Sequence, residues 1–109
     1  MALYNIIIDQ GSDYSVSLVL SDSGVVRDLT GYLARAQMRK TSYSIVVATF
    51  ACTIPTPTDG EIFMELDNDT SSALTPGVYV YDLELYTAGD AEVARLIGGK
   101  VTVTAEITK

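Results

Sequence analysis

The sequence predicts an all-β protein: a single domain over residues 1–109, made of two packed antiparallel sheets with about seven strands. Three observations predict it. Apolar and polar residues alternate with period 2 along most of the chain, the spacing of a strand with one face covered. Turn-forming clusters interrupt the alternation at short intervals: "DQGS" at 9–12, "SDSG" at 21–24, "DLTG" at 28–31, "PTPTDG" at 55–60, "TPG" at 75–77 and "TAGD" at 87–90. The chain has 109 residues and is 48% hydrophobic, with only 3 prolines, so it is long enough to bury a core and too apolar for disorder. A small barrel is the alternative architecture.

The first strand, 3–8, contains "YNIII" and is apolar on both faces. A terminal strand is often a sheet edge, and an apolar edge invites another chain. Tyr4, Ile6 and Ile8 are therefore expected contact residues, the opposing reading being that both faces are covered within the domain. Strand 13–20 turns Tyr14, Val16, Leu18 and Leu20 one way and Asp13, Ser15, Ser17 and Val19 the other. Strand 32–40 sets Ala34, Ala36 and Met38 against Arg35, Gln37 and Arg39; with Lys40 these cations read as a solvated face rather than a phosphate track. "KTSYS" at 40–44 reads as a hairpin tip presenting Tyr43, a residue type that anchors contacts.

Strand 44–54 carries Cys52 where a small buried residue fits, and strand 60–66 turns Ile62, Met64 and Leu66 inward. "DNDTSSAL" at 67–74 predicts one helical turn capped by Asp69 or Thr70, too short to stand alone and suited to carry the chain across the end of a sandwich. Strand 77–86, "GVYVYDLELY", puts Tyr79 and Tyr81 on the same side as Leu83 and Leu85, so these tyrosines are expected in the core and not on a binding platform. Tyr86 falls with Asp82 and Glu84 on the wet side and is a further contact candidate. The last strand, 91–107, is expected to bend or bulge at Gly98–Gly99.

A turn, then glycine, then a tyrosine two residues on ("LTPGVYVYDL", 74–83) resembles the start of strand F in an immunoglobulin-like domain. There a tyrosine hydroxyl returns to the backbone, a part Tyr79 or Tyr81 can play. With one cysteine and no tryptophan, an antibody-type domain is excluded.

Composition also narrows the chemistry. The chain has no histidine, which removes Ser-His-Asp triads, histidine-ligated zinc and the usual general base near neutral pH. One cysteine removes intrachain disulfides and thiolate clusters. The carboxylate pairs Asp67/Asp69, Asp82/Glu84 and Glu61/Glu65 read as wet faces or caps, "DND" at 67–69 lacks the calcium-loop frame, and "GGK" at 98–100 lacks the P-loop frame. No cofactor, metal or catalytic residue is expected. A net charge of -7 disfavours nucleic acid as a partner. The start "MALYN" has no signal-peptide character, and the longest apolar-rich run, 45–54, is about half the length of a membrane helix. A soluble protein made in the cytoplasm, with no membrane partner, is expected.

The segments "NIIIDQGSDYSVSLVL", "RDLTGYLARAQMRK", "GEIFMEL", "PGVYVYDLEL" and "EVARLIGGKVTVTAEITK" resemble, in order and over nearly the whole chain, a group of small virion proteins of tailed bacteriophages and prophages. They are also similar to the N-terminal module of phage upper baseplate proteins. Val78 stands where the group commonly has arginine or a similar polar residue, and "EITK" where it has an "EVTR"-like ending. The resemblance implies a non-enzymatic structural protein of a phage particle. Such a protein would be synthesised in the bacterial host and present in multiple symmetric copies. It would dock onto other virion proteins, in the tail or baseplate, and the reading of the strands and turns, not the resemblance, offers Tyr4, Ile6, Ile8, Tyr43 and Tyr86 as its contact residues. A capsid decoration or cement protein on the phage head is the neighbouring alternative. A receptor- or glycan-binding module is the alternative of another class, and it requires tyrosine rings exposed side by side.

Overall fold

A computed structural model describes residues 2–22, 24–41 and 43–105. In chain order the elements are β1 (Ala2–Leu3), β2 (Ile6–Asp9), β3 (Tyr14–Val19), a two-strand ribbon of β4 (Ser21–Asp22) and β5 (Val25–Val26), β6 (Leu33–Arg39), β7 (Val46–Thr53), β8 (Glu61–Leu66), α1 (Asn68–Ser72), β9 (Gly77–Tyr86) and β10 (Val93–Thr104). Short 3-10 turns at Pro57–Asp59 and Ala88–Asp90 precede β8 and β10.

Strands β10, β9 and β6 pair antiparallel in that order, and β6 continues onto the first half of β7. The last three residues of β7, from Ala51, pair instead with β8, and β8 pairs with β3. A strand that leaves one sheet for the other makes the corner of a sandwich. Two pairings, β3 with β8 and β6–β9–β10, reproduce the B–E and C–F–G sets of the immunoglobulin fold.

The N-terminal strand departs from the all-antiparallel expectation. It lies parallel to β10 in two pieces, Ala2–Leu3 against Ile97–Gly98 and Ile6–Asp9 against Val101–Thr104. Between the pieces the backbone of Tyr4 and Asn5 crosses over Gly99, where an added Cβ would lie 2.5 Å from the Tyr4 carbonyl oxygen. Asn5 Oδ1 accepts from the Lys100 backbone N–H at 3.0 Å. The function of Gly99 is thus close approach. The register shift expected at the glycines falls earlier, between Arg95 and Ile97.

Alternation turns one side of each strand into a shared core. Met38, Phe50, Ile62, Met64, Leu83, Leu85 and Val101 are buried between the sheets, each such side chain contributing about 1.5–3 kcal/mol. Phe50 packs edge-on to Tyr14 of one sheet and Tyr81 of the other, with ring centroids at 6.4 and 6.0 Å. Tyr79 and Tyr81 are both buried, as the alternation requires. The Tyr79 hydroxyl donates to the Thr75 carbonyl, the corner bond of this fold, and the Tyr81 hydroxyl donates to the Tyr4 carbonyl, fastening the N-terminal crossing.

The helical turn does carry the chain from β8 in one sheet to β9 in the other, but its cap is Asp67, not Asp69 or Thr70. Asp67 Oδ1 accepts the Thr70 N–H at 2.8 Å, and hydrogen bonding from the Thr70 side chain, with that backbone bond second, holds the carboxyl below its ordinary pKa. The fully buried Ser71 hydroxyl accepts from the Gly11 N–H at 3.1 Å and donates to the Ser12 carbonyl at 2.7 Å. These bonds tie α1 to the turn between β2 and β3. At Gly60 (φ +67) a Cβ would meet the Arg27 and Leu20 carbonyl oxygens at 2.8 Å, so only glycine lets the β8 start lie against that loop. Ala105 follows the last strand, and the expected continuation to Ile107 lies outside the described residues.

Candidate docking surface

The outer face of the β6–β9–β10 sheet follows from register. Its cross-strand rows are Leu33–Tyr86–Val93, Arg35–Glu84–Arg95, Gln37–Asp82–Gly98 and Arg39–Val80–Lys100, and the next is Val78–Thr102–Ile7, with β2 as the third strand. In the middle row Gly98 offers no side chain. A groove of about 820 Å³ opens there, lined by Leu3, Arg35, Arg39, Val80, Arg95 and Lys100, together with Asp82 and Glu84. Four of the chain's 7 cationic residues line this groove beside two of its 14 acids, so an acidic protein presents one locally basic face.

Most of these charges are held in place. Arg35 Nε bonds Glu84 at 2.9 Å, its Nη1 reaches Asp90 at 3.3 Å, and the guanidinium lies 4.3 Å from the Tyr86 ring centroid. Arg95 pairs with Asp82 at 3.0 Å. Lys100 has no ion-pair partner among the described residues. A positioned array of this kind steers an acidic partner and sets its orientation more than it adds affinity.

Apolar anchors border the array. Leu3 is 75% exposed and Ile7 68%, on the strand that covers the sheet's edge. At one end of the same face the β6–β7 turn presents Tyr43, 99% exposed, and Ile45, 82% exposed. That turn is braced from within. The Thr41 N–H donates to Ser44 Oγ at 2.8 Å, Ser44 Oγ donates to the Thr41 carbonyl at 2.9 Å, and Arg39 Nη1 donates to the Ser44 carbonyl at 2.8 Å. A braced tip loses little conformational freedom when it docks.

The expected contact residues separate into two groups. Tyr4 and Tyr43 are exposed, and Tyr86 is half-buried beneath Arg35. Ile6 and Ile8 are corrected: they are 2% and 1% exposed, because parallel pairing with Val101 and Val103 turns them into the core and leaves Ile7 outside. Leu3, Ile7 and Ile45 are exposed residues beside this array that sequence reasoning missed. With both faces of 3–8 apolar, alternation offered no way to choose between odd and even positions.

A second depression, of about 240 Å³, has Asp13, Glu65 and Asp67 in its wall. Asp13 already accepts from the Asn68 N–H and Asp67 from the Thr70 N–H, and no group of three metal-ligating side chains converges among the described residues. Burial pushes the Cys52 thiol up to about 11, far from the thiolate form a nucleophile needs. No protein-family model matches the chain, and no curated protein is significantly similar to it.

Proposed function

We propose that this chain is a non-enzymatic structural protein of a tailed-bacteriophage particle, which docks onto other particle subunits in the tail or baseplate. The observation that carries this reading is the surface built by the β6–β9–β10 sheet. Exposed apolar anchors at Leu3, Ile7, Tyr43 and Ile45 flank an ordered set of cations, a combination suited to gripping another protein. The ordered resemblance of the sequence segments to small virion proteins supplies the setting. Repetition around a symmetric particle would make individually weak contacts add up. Burial of Tyr79 and Tyr81 counts against the glycan-binding alternative, since no pair of those rings is free to stack on a sugar.

The test is a mass-spectrometric census of purified particles from the phage or prophage that encodes the chain, with gold-labelled antibody to separate tail from head. The chain is expected in the particle, at the tail. Replacing Tyr43 and Ile45 together by serine is expected to lower its incorporation at least tenfold, the loss of about 1.4 kcal/mol or more. Particles that lack the chain altogether would overturn the proposal, and label on the head would move it to the decoration role.

A further inference from the structure

Strand β3 is a free sheet edge. It pairs with β8 on one side only, and no backbone group of Tyr14–Val19 has a further partner among the described residues. Folded proteins protect such edges with charge, proline, a bulge or brevity. "YSVSLV" has no charge and no proline, its register with β8 is unbroken, and it is six residues long. The opposite edge differs. Strand β2 has four residues, ends in Asp9, and is cut off from β1 by the crossing at Tyr4–Asn5.

The inward side of β3 is also incompletely covered. Tyr14, Val16 and Leu18 are only half-buried, whereas their partners on β8, Leu66, Met64 and Ile62, are buried. A further strand beside β3 would bury them.

We propose that β3 pairs antiparallel with β3 of a second copy of this chain, across a two-fold axis through Val16 or Ser17, so that the two β3–β8 sheets become one. Antiparallel neighbours set side chains of the same face opposite each other, so the axis passes through a residue and not between two. The paired strands, Tyr14–Val19, hold no carboxylate in either register, so none opposes another across the axis. That matters for a chain of net charge -7, whose copies otherwise repel. An isologous pair closes on itself, whereas pairing with a different edge would run on as a filament. This inference stands apart from the docking surface and does not depend on virion membership.

A strand-edge contact is small, so the isolated dimer is expected to be weak, with Kd on the order of 10⁻⁵–10⁻⁴ M. Two measurements test it on the full chain. The first is mild oxidation of Ser17→Cys alone and of Ser15→Cys mixed with Ser17→Cys. One of these should form an intermolecular disulfide at least about tenfold faster than the exposed control Thr58→Cys, since only paired strands hold the two sulfurs together. Wild type provides the background from Cys52. The second is sedimentation over a concentration series. Wild type should pass from monomer to dimer, and Ser17→Lys should raise Kd at least about tenfold by setting two ammonium groups close to the axis, with an unchanged melting temperature. Ser15→Lys provides a second variant. Failure of either result overturns the proposal.

Discussion

Strands β9 and β3 are written in the same alphabet and end in different surroundings. Both alternate without a break. In β9 the inward Tyr79, Tyr81, Leu83 and Leu85 are all buried, while in β3 the inward Tyr14, Val16 and Leu18 are half-open. The cause is the number of neighbours: β9 lies between β6 and β10, and β3 has β8 alone. Period 2 therefore tells which way a side chain faces. How completely it is covered depends on where the strand falls in the sheet order.

The contrast can be broken at matched leucines. Leu83→Ala in β9 should cost about 2–5 kcal/mol in urea unfolding, because a fully buried side chain leaves a cavity. Leu18→Ala in β3 should cost about half as much, since water already reaches that side chain. Equal costs would mean that β3 is as well covered as β9. A smaller effect is expected at the corner bond. Tyr79→Phe keeps the ring and removes the hydroxyl that reaches Thr75, and should lower stability by about 1 kcal/mol.

Tyrosine titration sharpens the same comparison. Burial, with added repulsion from Tyr4 and a hydrogen bond to it, pushes the Tyr14 phenol up to about 12, and burial with repulsion from Tyr14 and Tyr4 pushes Tyr81 higher still. Both folded values lie above the ordinary 10.0, so above that pH the unfolded chain loses protons that the folded one retains. The tyrosine contribution should be fully present below pH 10 and fall as pH rises toward 12, with Tyr81→Phe and Tyr14→Phe each flattening that fall. The measurement is the urea midpoint at each pH.

The smallest effect is expected at the acid end. Hydrogen bonding from Thr70 holds Asp67 below its ordinary 3.8, so its contribution is present above that value and is lost as pH falls through the folded one. Asp67→Asn keeps an acceptor for the Thr70 N–H but cannot titrate, so the variant should lose less stability on acidification than wild type, read from melting temperatures at neutral and strongly acid pH.

The core was legible wherever one face of a strand was clearly greasier than the other. Ile62, Met64, Tyr79, Tyr81 and Leu83 follow the alternation for that reason, and glycine two residues earlier signals the Tyr79 corner. Where both faces were apolar the pattern was silent, so Ile6 and Ile8 were assigned to a contact and Ile7 was overlooked. The cap moved from Asp69 or Thr70 to Asp67 because several oxygen-bearing residues stand in a row there, and only backbone geometry selects one. The docking groove was not legible, because its floor is a glycine and its walls come from strands far apart in the chain.

Residue types and their spacing settle what is local: strand period, turn positions, and a chemistry without histidine or paired cysteines. Which strands become neighbours is settled by long-range packing. Strand β7 changes sheets, the N-terminal strand runs parallel to β10, and β3 is left with an open side. Those choices depend on contacts between residues distant in the chain, and short-range alternation is blind to them because every strand presents the same hydrogen-bonding edge.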